Sequence, residues 1–414
     1  MQRPGEHHVW TRRRLLRCSA GMMGAIALAG CSNEPPPGRY TQADIDALAE
    51  QREREARERG TGRHGQQRYR GYRGLAELPW FGLDARGDLC LIDDAVPDAI
   101  DFHTHLGMSL LFRPQLDLLA STPRVRHLLD CDGSDPGCEL DLDIYINGNF
   151  DDEALAQLRR YTLTQALWGN AIQRTHTIPN LLREMDTMRV SHSVVLPIKT
   201  GLPFGDRLTE DWRDAIRNAG ASQRLVAGLS VYPGDGQAVE QMRAHAAAGA
   251  RVMKLHPTVQ QFYPDDPVVF PIYEEARALG LILFFHGGRA GIEPRDRLRY
   301  AMPRHYEGVL KNFPELPVVL GHGGARDARA MLAMSRPYAN AWLGIHGQSL
   351  RMLETIIEAS AGERLLFGTD WPWYHIGATL AKVLLCTDRP QRQKQRRMIL
   401  RDNAIALMPE LASS

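Results

Sequence analysis

The sequence is short of several things, and each shortage narrows what the chain can be. Cysteine is sparse, with 6 in 414 residues. A disulfide-stapled secreted mini-domain is thereby excluded, and the fold must rest on an apolar core. Charge of one sign is missing too. Lys and Arg number 50 against 49 Asp and Glu, a net charge of +1, so no global field marks nucleic acid as a partner. Internal repeats are absent. Long apolar runs are also lacking: the stretch from Cys18 to Ala29 is too short and too weakly apolar for a permanent membrane span.

What is present begins with a leader-like segment. Arg12, Arg13, Arg14 and Arg17 precede that small-residue run, in "TRRRLLRCSAGMMGAIALAGCSN". It resembles a twin-arginine export signal. "LAGC", ending at Cys31, looks like a bacterial lipoprotein cleavage box. That likeness implies lipidation of Cys31, export to the periplasmic side, and anchoring in the outer membrane, since Ser32 is not the aspartate of inner-membrane retention. The plainer alternative is an ordinary signal peptide cut near Gly30. The expected organisation is a leader over 1–30, a tether and N-terminal extension over 31–95, and a catalytic domain over 96–414. Within the extension, "ADIDALAEQREREARERG" predicts a short exposed helix. "TGRHGQQRYRGYRG" reads as a basic surface loop, with contact to anionic lipid as its alternative. Cys131 and Cys138 flank a turn-rich loop and are candidates for a disulfide in an exported chain.

From Val96 the pattern changes. Eight short apolar runs alternate with helix-like stretches: "AIDFHTHL", "HSVVLPI", "RLVAGLSVY", "ARVMKLHP", "LILFFHGG", "PVVLGHGG", "NAWLGIHG" and "RLLFGTDWP". Near-continuous apolar strands alternating with helices argue a parallel sheet. Eight of them predict an α/β fold of the closed (β/α)8 TIM-barrel type. An open doubly wound sheet competes, but does not so readily gather polar side chains from many strand ends at one centre. The segment 110–190 is too long for a plain connection and is expected to form an inserted, partly helical lobe over the barrel mouth.

Polar residues stand at the ends of these runs, where barrel active sites lie. His103 and His105 are two apart, so a strand aims both imidazoles at one place. His256, His286, His322 and Asp370 follow. One histidine after a strand is often just a satisfied loop residue; recurrence on successive strands weakens that reading. Arg289 and Arg326, each following an "HGG", are candidates to clamp a carboxylate. Trp371, Trp373, Tyr374 and His375 can form an aromatic wall around a planar or apolar substrate. Phe262, Tyr263, His305 and His346 are weaker pocket candidates.

These motifs together resemble the amidohydrolase superfamily, in the amidohydrolase-related branch of metal-dependent hydrolases and nonoxidative decarboxylases. "DFHTHLG", "KLHP", "FFHGG", "LGHGG", "LLFGTDWP" and the closing "DNAIALM" carry the likeness. The resemblance implies one divalent metal, zinc first, with manganese, iron or cobalt as alternatives, held by His103, His105, His286 and Asp370. Asp370 also takes a proton from water, and His322 acts as general base or polarises the substrate carbonyl. His256 lines the pocket. Lys254 is the alternative: carboxylated, it would bridge two metals, with His286 and His322 holding the second.

The expected activity is hydrolysis of an amide, ester or lactone of a small, aromatic or carboxylated substrate. Nonoxidative decarboxylation of an aromatic or enoic acid uses the same ligands. Location tips the balance, because an exported, anchored enzyme more naturally processes an external substrate by hydrolysis. A non-catalytic envelope binding protein is the third reading. The expected partners are a small molecule and the membrane through the lipid, with a homodimer as the family's common assembly and no nucleic acid.

Overall fold

The computed structural model describes residues 39–108, 116–133, 138–202 and 205–412. The leader, Cys31 and most of the tether lie outside the described residues. The chain divides into two units, Met1–Ile45 and Asp46–Ser414. In the first, the Thr41 N–H donates to Asp44 Oδ2 at 2.8 Å, at the start of the Gln42–Glu58 helix. Among the described residues no helix is long and apolar enough to cross a membrane.

The eight apolar runs form eight strands: β1 (Ala99–Thr104), β2 (Val190–Val195), β3 (Leu225–Ala227), β4 (Val252–Leu255), β5 (Ile282–Phe285), β6 (Val318–Leu320), β7 (Ala341–Gly344) and β8 (Leu365–Leu366). β1, β2 and β3 make one parallel sheet, and β4 to β8 another, in chain order. Backbone hydrogen bonds join the two sheets at both seams. Leu229 N donates to Val252 O and Lys254 N to Leu229 O, each at 2.8 Å. At the other seam Phe102 N donates to Phe367 O at 2.9 Å and Asp370 N to His103 O at 2.8 Å. The fold is therefore a (β/α)8 barrel.

Alternation along the strands sorts the core into two shells. Val252, Ile282, Phe284, Val319 and Leu366 fill the barrel interior with Ile100, Phe102 and Val194, closed at one end by Ala404 and Met408. Met253, Leu255, Leu283, Phe285, Val318 and Leu320 face outward to the helices. In the "DNAIALM" segment Asn403 Nδ2 donates to the carbonyls of Gly362 and Leu365, both at 2.8 Å, and so ties the closing helix to the start of β8.

The N-terminal extension is more deeply built in than its composition suggests. Arg68–Tyr69 pairs antiparallel with Leu140–Asp141 of the insertion, and Tyr69 and Tyr72 are buried. The expectation of a surface loop over 61–74 is corrected on this point. Its arginines are engaged within the protein, Arg63 with Glu354 and Asp388 and Arg68 with Asp141. The Gln42–Glu58 helix is likewise not simply exposed: Glu55 ion-pairs with Arg326 at 2.6 Å in a part-buried contact. In the insertion, Asp152–Trp168 is helical. Its preceding loop sits on the loops after β7 and β5, through Ile146 N to Gly347 O at 2.8 Å and Asn147 Nδ2 to Ala290 O at 3.2 Å. Cys131 and Cys138 are joined by a disulfide.

Candidate metal centre

β1 carries the centre's first two side chains. Ile100 and Phe102 belong to the interior cluster, yet His103 and His105 meet beyond them. The pairing of β1 with β2 slips between Asp101 and Thr104, and such an irregularity re-aims side chains at a strand end. His103 Nε2 and His105 Nε2 lie 3.2 Å apart. Both face Asp370 Oδ1, at 3.4 and 3.1 Å. Behind them Asp101 is fully buried. It accepts from His103 N at 3.0 Å and from Thr369 Oγ1 at 2.5 Å, which pins the ends of β1 and β8 together.

The His105 Nδ1 sits 2.7 Å from the Leu196 carbonyl. That contact fixes the ring so that its Nε2 edge faces the centre. Burial, with smaller contributions from Lys254 and the neighbouring imidazoles, holds His103 well below the ordinary histidine pKa. Burial does the same to His322. Neutral imidazoles are the metal-binding form. Burial pushes the Asp370 carboxyl up, but His105 and His346 outweigh it and the group is held below its ordinary value. Three converging atoms of this chemistry, two imidazole nitrogens and one carboxylate oxygen, fit a divalent cation.

A second triplet shares the same carboxylate. His322, His346 and Asp370 place one donor atom each within 4.8 Å of one another, with His346 Nε2 3.5 Å from Asp370 Oδ2. His346, expected only as a weak pocket residue, thus belongs to the centre. His286, the fourth ligand that the resemblance implies, makes contacts of its own beside these two triplets. Its Nε2 lies 3.0 Å from Glu293 Oε1, and its ring stacks on His256 at 4.0 Å. Glu293 is buried and also accepts from the Ala290 and Gly291 N–H groups, which fixes the carboxylate that faces His286. No motif marked Glu293. An acid seven residues after a histidine, across a glycine turn, has no spacing rule.

His256 remains partly open to solvent, in keeping with a pocket edge. Lys254 Nζ is buried 3.3 Å from His103 Nε2, and burial, opposed by Asp370, brings it down to about 7. Arg289 is corrected as a carboxylate clamp. Its guanidinium meets Asp327 through Nε at 2.9 Å and Nη2 at 2.6 Å. Arg326 binds Glu55 through Nη1, while its buried Nε has no hydrogen-bond partner. Trp371 is corrected as a substrate wall: it is fully buried, and its Nε1–H donates to Glu184 Oε2 at 3.2 Å. His375 caps the Ile376–Cys386 helix through Gly377 N and stacks on Tyr72 at 4.3 Å. Trp373 is half-buried against the main core, and Tyr374 lies 5.2 Å from the His346 ring. His305 pairs with Asp265 at 3.1 Å and touches Tyr263, and Phe262 joins the core. None of these three converges on the centre.

The two "HGG" turns meet face to face. Gly288 has φ +75°, and a Cβ there would stand 1.8 Å from Gly324 O. Only glycine lets the loops carrying His286 and His322 approach so closely.

Comparison with known proteins places the chain among relatives of this fold. Dihydroorotase of Yersinia enterocolitica is 23% identical over 193 residues, which is 46% of this chain and 51% of that protein. Dihydroorotase of an Azoarcus species is 31% identical over 120 residues, 27% of this chain and 35% of that protein. The chain spans about half the length, or less, of these curated relatives. Among solved structures, 5-carboxyvanillate decarboxylase of Sphingomonas paucimobilis superposes with a TM-score of 0.51 at 17% identity, over 75% of this chain and 99% of that one. An uncharacterised TIM-barrel protein of Bordetella bronchiseptica gives 0.50 at 20% identity, over 57% and 84%. These likenesses concern the fold. The amidohydrolase family model matches residues 180–409, more than half of the chain, and the protein belongs to that family.

Proposed function

We propose that this protein is a metal-dependent hydrolase of an amide, ester or lactone. The observation that carries the reading is the convergence of His103 Nε2, His105 Nε2 and Asp370 Oδ1 in a buried site. A divalent metal, zinc first, supplies Lewis acidity toward a carbonyl oxygen and acidifies water. The protein's own groups handle the proton. Asp370 turns Oδ1 to the two ligand histidines and Oδ2 to His346. Oδ2 is thus the oxygen positioned to accept a proton from water, with His346 Nε2 beside it. His322 is neutral and buried, its Nδ1 lacks a partner, and its ring lies 5.1 Å from that of His103. It holds or delivers a proton at the substrate's carbonyl or leaving atom.

The matched relatives named dihydroorotase support the hydrolytic reading. Decarboxylation of an aromatic acid is the competing reaction on the same ligands, supported by the fold likeness to the 5-carboxyvanillate decarboxylase. A panel of esters, lactones, cyclic amides and aromatic acids, offered to zinc-loaded protein, separates the two. Acid release from a lactone or ester, abolished by Asp370→Asn, is expected. Carbon dioxide release from an aromatic acid with no turnover of the other classes overturns hydrolysis.

A further inference from the structure

Tyr145 is not among the motif residues. It stands in the insertion, just before the short turn Ile146–Asn149. Glu55 accepts its backbone N–H, and other groups pack against the ring. The Arg326 guanidinium lies 5.5 Å from the ring centre. Ala290 and Ala325, from the loops after β5 and β6, pack against it. Gly347, one residue after His346, lies flat on the ring: a Cβ there would stand 2.8 Å from Tyr145 Cε2. The phenol therefore sits among the three loops that carry His286, His322 and His346.

The hydroxyl on this ring is buried and has no hydrogen-bond partner among the described residues, and the residue is only 2% exposed. A buried hydroxyl left without a partner is destabilising. A fold that holds the ring so firmly and leaves its polar tip unmet reserves that tip for something that arrives later. The chemistry of the arrival follows from the neighbours. Among the described residues the Nε of Arg326 is also buried without a partner, so a donor on a cation lacks an acceptor on the side chain that faces this ring. Glu293 is engaged with His286, and Asp370 with the ligand histidines. Burial raises the Tyr145 phenol well above its ordinary pKa, and Glu293 and Asp370 raise it further, so it stays protonated and donates.

We propose that Tyr145 Oη, on a ring whose centre lies 5.5 Å from the Arg326 guanidinium, binds a carboxylate of the substrate of the metal centre. This rests on the hydrolase reading above and gives it a substrate class: small molecules carrying a carboxylate in addition to the bond that is cleaved. The insertion thereby supplies a specificity residue to a barrel whose ligands come from the strand ends.

The test is calorimetric titration of benzoate into zinc-loaded full-length protein, wild type against Tyr145→Phe, with thermal unfolding of both. Phe keeps the ring and removes only the orphaned oxygen. The expected result is at least a tenfold weaker benzoate affinity, with Tm at or above that of the wild type. Equal affinity, or no benzoate binding by the wild type, overturns the assignment. So does a clear fall in Tm, because it would mean that the hydroxyl has a structural partner. Turnover of neutral lactones reports separately on hydrolysis. A protein that hydrolyses them but binds benzoate equally in both forms loses only the Tyr145 role. One that binds benzoate through Tyr145 and hydrolyses nothing loses only the hydrolase reading.

Discussion

Glu184 reaches the loop behind Asp370 from the Ile178–Met188 helix. It accepts from Trp371 Nε1 at 3.2 Å and Ile376 N at 2.8 Å, and lies 2.9 Å from His127 Nε2. Burial alone would raise this carboxyl. His375 and His127 outweigh burial and bring it down to about 2 from an ordinary 4.5. A carboxylate whose folded pKa is depressed contributes stability that is present above its unfolded value and lost as pH falls through the folded one. Glu184→Gln turns an amide N–H toward the Trp371 donor and is expected to cost about 2 kcal/mol at pH 7. Thermal unfolding from pH 7 to 3 checks this: the gap between wild type and variant should narrow below about pH 4.5. A gap that stays constant would show that the carboxylate's charge contributes nothing. The residue was partly legible. Ile178, Leu181, Met185 and Met188 form the helix's buried stripe, and an acid three residues after Leu181 interrupts it. Glu293, which meets His286 at 3.0 Å, had no such signal.

At the scale of elements, strand positions were readable because a barrel strand is buried on both faces and appears as an unbroken apolar run. β8 shows the limit of that reading. Only Leu365 and Leu366 are paired as strand, and Asp370 is placed by a turn in which it takes φ +60°. The segment 61–74 was misread because its burial depends on pairing with Leu140–Asp141, a long-range contact invisible in a polar, arginine-rich stretch. Recurrence of "HGG" pointed to close approach, although its partner is the other loop's backbone. Gly288→Ala is accordingly expected to destabilise the protein by about 3 kcal/mol or more, since it adds a forbidden contact at a positive φ. Differential scanning calorimetry should show Tm lower by roughly 4 °C or more. A shift under about 2 °C would mean that the loops are not packed as described.

At the scale of the molecule, the leader-like sequence and the Cys131–Cys138 disulfide suit an oxidising compartment. Export and anchoring through Cys31 remain our proposal. Cys31→Ala is expected to move the chain out of the membrane fraction of expressing bacteria; equal membrane association of both forms would contradict it. The central claim is that the barrel builds a metal centre from His103, His105 and Asp370, with His346 beside them. Elemental analysis of protein purified without chelator or affinity tag, wild type against Asp370→Asn, tests it most directly. The account predicts about one equivalent of a divalent transition metal per chain in the wild type, reduced severalfold in the variant. Wild-type protein that holds no metal, even after anaerobic purification and resupply, would contradict it.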